Sequence, residues 1–187
     1  MRRVLSITLP MLALLFPSLC CGAPLSEQVS VSEEDVRAAV LFHLTQFVEW
    51  PEINDSIPYR ICVAGSATTS VALNHLTQGK SIRSHRIQVE QVAGPTETRG
   101  CQIVFIGACL RPRLQQYLTS LRDSDILTVG EQPGFADLGG MVQLSFQPQR
   151  VGLVVNLESV QRSHLTVSSK LLRLGQRSGD RVAVETH

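Results

Sequence analysis

The chain has 187 residues, 43% of them hydrophobic, and a formal net charge of +1 at pH 7. A charge so close to zero, with basic residues dispersed along the chain, gives no indication of nucleic acid or an anionic membrane surface as partner. From residue 40 onward no apolar stretch approaches the roughly 20 residues of a membrane-spanning helix, and no internal repeat is present.

The N-terminus has the order of a secretory signal peptide. Two arginines precede an apolar run that ends at Leu19, and small residues follow up to Ala23. We therefore predict a signal peptide over residues 1–23, cleaved near Ala23, and an exported protein. A lipid anchor on Cys20 or Cys21 is the main alternative, which the sequence leaves open.

Three cysteines remain after the signal peptide, namely Cys62, Cys101 and Cys109. In an oxidising compartment, the simplest arrangement of an odd number is one intramolecular bridge and one remaining thiol. The spacing fits no zinc motif, so we predict no metal site.

Predicted helices and strands alternate over residues 32–129. Ser32 is a predicted N-cap, apolar residues recur behind it at helical spacing, and the first helix is predicted to end near Trp50 because Pro51 follows. Later segments predict strands at 59–64, 87–92, 103–106 and 126–129, and helices at 68–76 and 111–121. This alternation favours an open, mostly parallel sheet with helices on both faces.

The C-terminal part differs. Segments 141–146 and 151–155 are joined by a turn-like connection, which predicts an antiparallel hairpin at the sheet edge, and helices are predicted at 157–162 and 168–174. The predicted fold class is thus α/β, in a single domain. The predicted boundaries are a flexible segment at 24–31, the domain at 32–175 and a frayed tail at 176–187.

The sequence lacks the residue motifs of hydrolase and nucleotide-binding sites. There is no G-x-S-x-G elbow, and the histidines of the mature chain fall in unrelated contexts. The loop after the first predicted strand lacks the glycine spacing and the lysine of a P-loop. We therefore predict no catalytic residue, no cofactor and no enzymatic activity, with Cys109 as the remaining thiol.

The most distinctive segment runs from Gly130 to Met141 (G-E-Q-P-G-F-A-D-L-G-G-M) and follows a predicted buried strand. In open α/β sheets, ligands bind at this end of the strands. Glu131, Gly134 and Phe135 are therefore candidate ligand or partner contacts. Equally, the glycines of the segment could simply shape two consecutive turns, with positive φ expected at Gly134 or Gly140.

Five strings in one order carry a resemblance to a known family: F-V-E-W-P at 47–51, Y-R-I-C-V-A-G at 59–65, C-Q-I-V-F-I-G at 101–107, L-T-V-G-E-Q-P-G-F at 127–135 and S-S-K-L-L-R-L at 168–174. Together they resemble the YfiR family over nearly all of the mature chain. The resemblance implies a periplasmic repressor that binds the periplasmic sensor region of an inner-membrane diguanylate cyclase and so lowers cyclic di-GMP. It also implies release by an OmpA-like outer-membrane lipoprotein.

The resemblance further implies a disulfide between Cys62 and Cys101. Some relatives carry a second cysteine pair later in the chain, but no cysteine follows Cys109 here. Glu49 and Trp50, in F-V-E-W-P, are candidate partner contacts, although a core role is the commoner fate of a large aromatic residue. A small-ligand sensor in the periplasm is the alternative function, and a homodimer stays open.

Overall fold

The computed structural model describes residues 32–51, 57–147 and 150–177. The predicted signal peptide, the predicted flexible segment at 24–31 and the predicted tail beyond residue 177 lie outside these residues. No helix in the described ranges is long and apolar enough to cross a membrane.

The first helix, α1 (Glu33–Leu44), begins where the sequence predicts. The Ser32 hydroxyl accepts a hydrogen bond from the Asp35 N–H at 3.1 Å, and the Asp35 carboxylate accepts one from the Ser32 N–H at 3.3 Å, which makes a capping box. The predicted helix end near Trp50 is wrong, because α1 ends at Leu44. The two residues of β1 (Val48–Glu49) instead pair with a strand from the far end of the chain.

A mostly parallel sheet of eight strands forms the centre of the fold. Its strands are β2 (Tyr59–Ala64), β3 (Ser81–Ile82), β4 (His85–Val92), β5 (Ile103–Ile106), β6 (Leu127–Gly130), β7 (Val142–Gln147), β8 (Arg150–Val155) and β10 (Gln176–Arg177). Their spatial order is β10-β8-β7-β6-β5-β2-β4-β3. Strands β5 and β6 are buried along their whole length, as expected of strands covered on both faces. The predicted α/β class is confirmed.

The C-terminal hairpin of β7 and β8 is antiparallel, as predicted, and β7 joins the parallel strands through β6. Strand β10 pairs in parallel with the end of β8. The folded domain therefore extends two residues past the boundary predicted at residue 175.

Helices cover both faces of the sheet. They are α1, α2 (Ala67–Thr77), α3 (Leu114–Leu121), α4 (Leu157–Arg162) and α5 (Ser169–Leu174). Leu41, Leu73 and Leu171 lie in one buried cluster, to which α1, α2, α4 and α5 contribute. Tyr117 and Leu118 of α3 lie in a second cluster, on the opposite face. A separate small sheet joins β1 to β9 (Thr166–Val167).

Helix α3 is shorter than the predicted segment at 111–121, because it begins at Leu114. Residues Ala108–Arg113, with Pro112 among them, form a 3₁₀ helix instead. This segment contacts the turn after β2 through Cys109 and Leu110.

Candidate functional site

The carboxyl ends of the parallel strands meet at one edge of the sheet, called the carboxyl edge below. Gly65 follows β2, Gly107 follows β5 and Glu131 follows β6. The order of the strands reverses at β2. The next parallel strand in sequence, β4, lies on one side of β2, whereas the later strands β5 and β6 lie on the other side. The gap between the ends of β2 and β5 is therefore a topological switch point, where open α/β sheets usually bind ligands.

In this protein the switch point is filled by the chain itself. A Cβ added to Gly107 would lie 2.7 Å from the Gly65 carbonyl oxygen, and one added to Gly65 would lie 2.7 Å from Leu110 Cγ. The Cys109 thiol donates a hydrogen bond to the Gly65 carbonyl at 2.9 Å. Gly107 thus permits close packing of backbone against backbone, Gly65 leaves room for the side chains of Cys109 and Leu110, and the 3₁₀ segment fills the switch point.

Beside this contact lies an ion pair between Arg37 of α1 and Glu131. Arg37 Nε donates to Glu131 Oε2 at 2.9 Å, and the other carboxylate oxygen accepts from the Ala108 N–H at 3.2 Å. The side chains are only 7% and 16% exposed, respectively. Glu131, predicted as a contact residue, is therefore a partly buried counter-ion.

Arg37 also contacts a second residue of α1 and two further elements. Its guanidinium binds the Glu33 carboxylate at 2.5 Å, lies 3.4 Å from the Thr69 hydroxyl of α2, and stands 4.9 Å from the ring centre of Phe146 in β7. One cation thus links two helices, the loop after β6 and the C-terminal hairpin. We call Arg37 and these partners the Arg37 cluster.

Sequence analysis did not identify Arg37. The available signal was its position four residues after Glu33, which favours an ion pair on a helix. Arg37 also lies in register with Leu41 and Leu44 on the buried face of α1. A charged residue on an apolar helix face needs a buried partner, and Glu131 supplies it.

The loop from Gly130 to Met141 packs inward. Gln132 donates hydrogen bonds to the Gly107 carbonyl at 2.8 Å and to the Ile106 carbonyl at 3.2 Å. Phe135 is fully buried, in the same cluster as α3. Phe135 was predicted as a contact residue, but the structure places its ring in the core.

Glycine is required at two positions of this loop for different reasons. Gly134 has φ +79°, with nothing within 4 Å of the position that a Cβ would take. At Gly140 an added Cβ would lie 2.1 Å from the Phe135 ring. Positive φ at Gly134 is what the sequence predicted, whereas Gly140 is required by close packing.

Of the two candidate contact residues in F-V-E-W-P, Glu49 is exposed and Trp50 is packed against the domain. Trp50 donates from its indole N–H to the Gln102 carbonyl at 3.0 Å and meets the Tyr59 ring edge-on, with centroids 5.3 Å apart. The Glu49 side chain is 68% exposed and lies 3.9 Å from Arg83. Glu49 is therefore the one of the pair that is available to a partner.

The structure joins Cys62 of β2 to Cys101, just before β5, in a disulfide with a Cα–Cα distance of 6.0 Å. Both cysteines are buried, whereas Cys109 is an exposed free thiol. The pairing implied by the resemblance is therefore the pairing that the structure has.

A second ion pair crosses β2 and β4. Two nitrogens of Arg60 donate hydrogen bonds to the Glu90 carboxylate. Nε donates to Oε1 at 3.1 Å, and Nη2 donates to Oε2. This hydrogen bonding holds the pKa of the Glu90 carboxyl below its ordinary value. Within the described ranges, no group of three His, Cys, Asp or Glu side chains is arranged to hold a metal ion.

Comparison with known proteins gives two findings. A family model described as YfiR/HmsC-like matches residues 34–176. A solved structure, a conserved domain protein from Vibrio cholerae O1 biovar El Tor, is similar with a TM-score of 0.50 and 9% sequence identity. That match covers 78% of this chain and 60% of the Vibrio chain. At this identity the likeness supports the fold alone.

Proposed function

The chain belongs to the YfiR/HmsC-like family, and we propose that it is a periplasmic repressor of an inner-membrane diguanylate cyclase. The observation that carries the proposal is the family match over residues 34–176, nearly all of the described chain. The family is one of periplasmic regulators that are generally non-catalytic.

Two features of the chain support a periplasmic site of action. The first is the predicted signal peptide, and the second is the buried disulfide between Cys62 and Cys101. Structural disulfides persist in oxidising compartments such as the periplasm and are rare in the cytosol.

Repression requires differential affinity for two states of the cyclase. In the proposed mechanism the domain binds the inactive arrangement of the periplasmic sensor region more tightly than the active one, because equal affinity would shift no population. A preference of about 3 kcal/mol corresponds to a factor above 100. An OmpA-like outer-membrane lipoprotein would relieve repression by competing for the same domain.

The filled switch point supports recognition through the surface of the domain. The switch point is filled by Cys109 and Leu110, and the Arg37 cluster joins the elements around it. Of the predicted contacts Glu131, Gly134, Phe135, Glu49 and Trp50, the proposal assigns direct contact to Glu49, which is the most exposed side chain among them. The other four maintain the loops around the carboxyl edge and the start of β2.

The genetic test is deletion of the gene in its native host. Cyclic di-GMP should rise, with more biofilm matrix and less swimming, and deletion of the cyclase as well should abolish the rise. Complementation should require residues 1–23, because a cytoplasmic copy cannot reach the sensor region. Unchanged cyclic di-GMP, with a cognate cyclase expressed and responsive, would leave the proposal without support.

The biochemical test uses the mature protein and the purified periplasmic region of the cyclase. Glu49→Lys should weaken their binding at least about tenfold, since a reversed charge within an interface costs both attraction and desolvation. Glu158→Lys is the matched control, because Glu158 is also a highly exposed carboxylate, at 84%. Equal weakening by both variants would argue against contact at Glu49.

A further inference from the structure

A groove on the lateral edge of the sheet lies apart from the carboxyl edge. It runs between the C-terminal end of α2 and the hairpin of β3 and β4, with a volume of about 780 Å³. Small-molecule sites have volumes of this order. Lys80, Arg86 and His75 line it together with the hydroxyl residues Ser81 and Ser84, and no carboxylate residue is among its lining residues. We call it the lateral groove.

The cations of the lateral groove lack carboxylate partners. Lys80 Nζ stands 5.1 Å from the ring centre of Phe42, a contact that leaves its positive charge uncompensated. In the described part of the chain, neither Lys80 nor Arg86 forms an ion pair. By contrast Arg83, on the neighbouring turn, lies 3.9 Å from Glu49. Positive charge therefore accumulates at the groove with no ion-pair partner among the described residues.

The turn beside the groove adds independent evidence. It connects β3 to β4 through Arg83 at φ 47° and Ser84 at φ 73°. Two-residue hairpin turns with positive φ at both positions favour Asn and Gly, since other side chains are strained there. Backbone strain of this kind is concentrated at ligand sites. The strained turn places Ser84 in the groove lining.

We propose that the lateral groove binds a phosphate group, with Lys80 and Arg86 as its charge partners and the Ser84 hydroxyl as a hydrogen-bond donor. The planar guanidinium of arginine suits two phosphate oxygens at once, and the lysine ammonium adds a compact point charge. The volume exceeds the needs of a single phosphate, so the phosphate belongs to a larger molecule. A soluble phosphate ester and a phospholipid headgroup present the same chemistry.

The test has two arms, both with the mature protein, residues 24–187. One is titration calorimetry with pyrophosphate, and the other is co-sedimentation with phosphatidylglycerol vesicles against phosphatidylcholine vesicles. Binding in either arm should weaken at least about tenfold in the double variant Lys80→Gln/Arg86→Gln, because both phosphate-neutralising charges are lost. Arg111→Gln is the matched control, since Arg111 is an exposed arginine outside the groove lining.

The outcomes separate the sources of the phosphate. Pyrophosphate binding that depends on Lys80 and Arg86 supports a soluble ligand, and binding with the same dependence to phosphatidylglycerol alone supports a lipid headgroup. Arg86→Gln alone leaves the contact of Lys80 with Phe42 intact and should still weaken binding measurably, which protects the test against misfolding of the double variant. Failure to bind in both arms, or equal weakening by Arg111→Gln, overturns the proposal.

Discussion

The carboxyl edge and the lateral groove use charge in opposite ways. At the carboxyl edge Arg37 and Glu131 are partly or fully buried and neutralise each other, and glycines bring backbone segments into contact. At the lateral groove Lys80 and Arg86 have no ionic partner among the described residues. In this domain the usual ligand position of an open α/β sheet is used for packing, and charge without an ionic partner lies elsewhere. Substitutions should therefore affect stability at the first region and binding at the second.

The largest expected effect on stability is at the disulfide that fixes β2 beside the chain entering β5. The bridge spans a sequence separation of 39 residues, for which the chain-entropy model gives about 4 kcal/mol. The double variant Cys62→Ser/Cys101→Ser should lose about that much free energy of unfolding, measured by urea denaturation. Cys109→Ser is the control, expected to change little. Thiol labelling of denatured, unreduced protein should modify Cys109 only, and labelling of the other two would contradict the pairing.

Next in size is the Arg37 cluster. Arg37→Ala should lower the free energy of unfolding by about 3 kcal/mol, because removing one partner of a buried ion pair leaves the other uncompensated. Lys80→Ala is the control from the lateral groove, expected to cost under about 0.5 kcal/mol as an exposed substitution. Urea denaturation of both variants measures the contrast, and similar losses would remove the distinction between the two regions.

The glycines of the loop after β6 give a smaller and graded effect. Gly140→Val should cost about 2 kcal/mol, since the new side chain would overlap the fixed ring of Phe135. Gly134→Ala should cost only about 1 kcal/mol, from positive φ in open space. Thermal denaturation should rank the two variants in that order. The reverse ranking would mean that backbone conformation, not packing, fixes this loop.

The smallest expected effect is a dependence of folding stability on pH, caused by the ion pair of Arg60 and Glu90. The pKa of Glu90 is lowered from its ordinary value of 4.5, so the pair stabilises the fold above that pH and loses its contribution as pH falls through the lowered pKa. The stability difference between the wild type and Glu90→Gln should therefore shrink from about pH 7 to about pH 3. Gln91→Ala, at an exposed site on the same strand, should show no such trend.

Much of the fold was predictable because its elements carry local signals. The N-cap residue Ser32 and the continuously apolar run of β5 were sufficient to place a helix start and a buried strand. The end of α1 was not predictable, since β1 forms only by pairing with β9, far along the chain. The start of α3 likewise depends on the contact of Cys109 and Leu110 with Gly65.

The site was predictable only in part. The resemblance supplied the pairing of Cys62 with Cys101, and turn chemistry pointed to positive φ at Gly134 or Gly140, of which Gly134 has it. Sequence position alone placed Phe135 at a ligand edge, but it could not show that the ring turns inward, because that depends on the space left by Gly140 and Gly130. Arg37 was missed because its partner Glu131 lies in a distant segment of the chain.

The small sheet of β1 and β9 has a consequence for the order of folding. Val48 pairs with Val167, and the Ser168 N–H donates to the Phe47 carbonyl at 2.8 Å. This joins the start of the domain to its last helix, so the contact forms only when nearly the whole sequence is available. Contacts of such long sequence separation slow folding. In a chain that emerges N-terminus first, β1 therefore stays unpaired until β9 has emerged, and truncation before residue 166 would leave β1 without its partner strand.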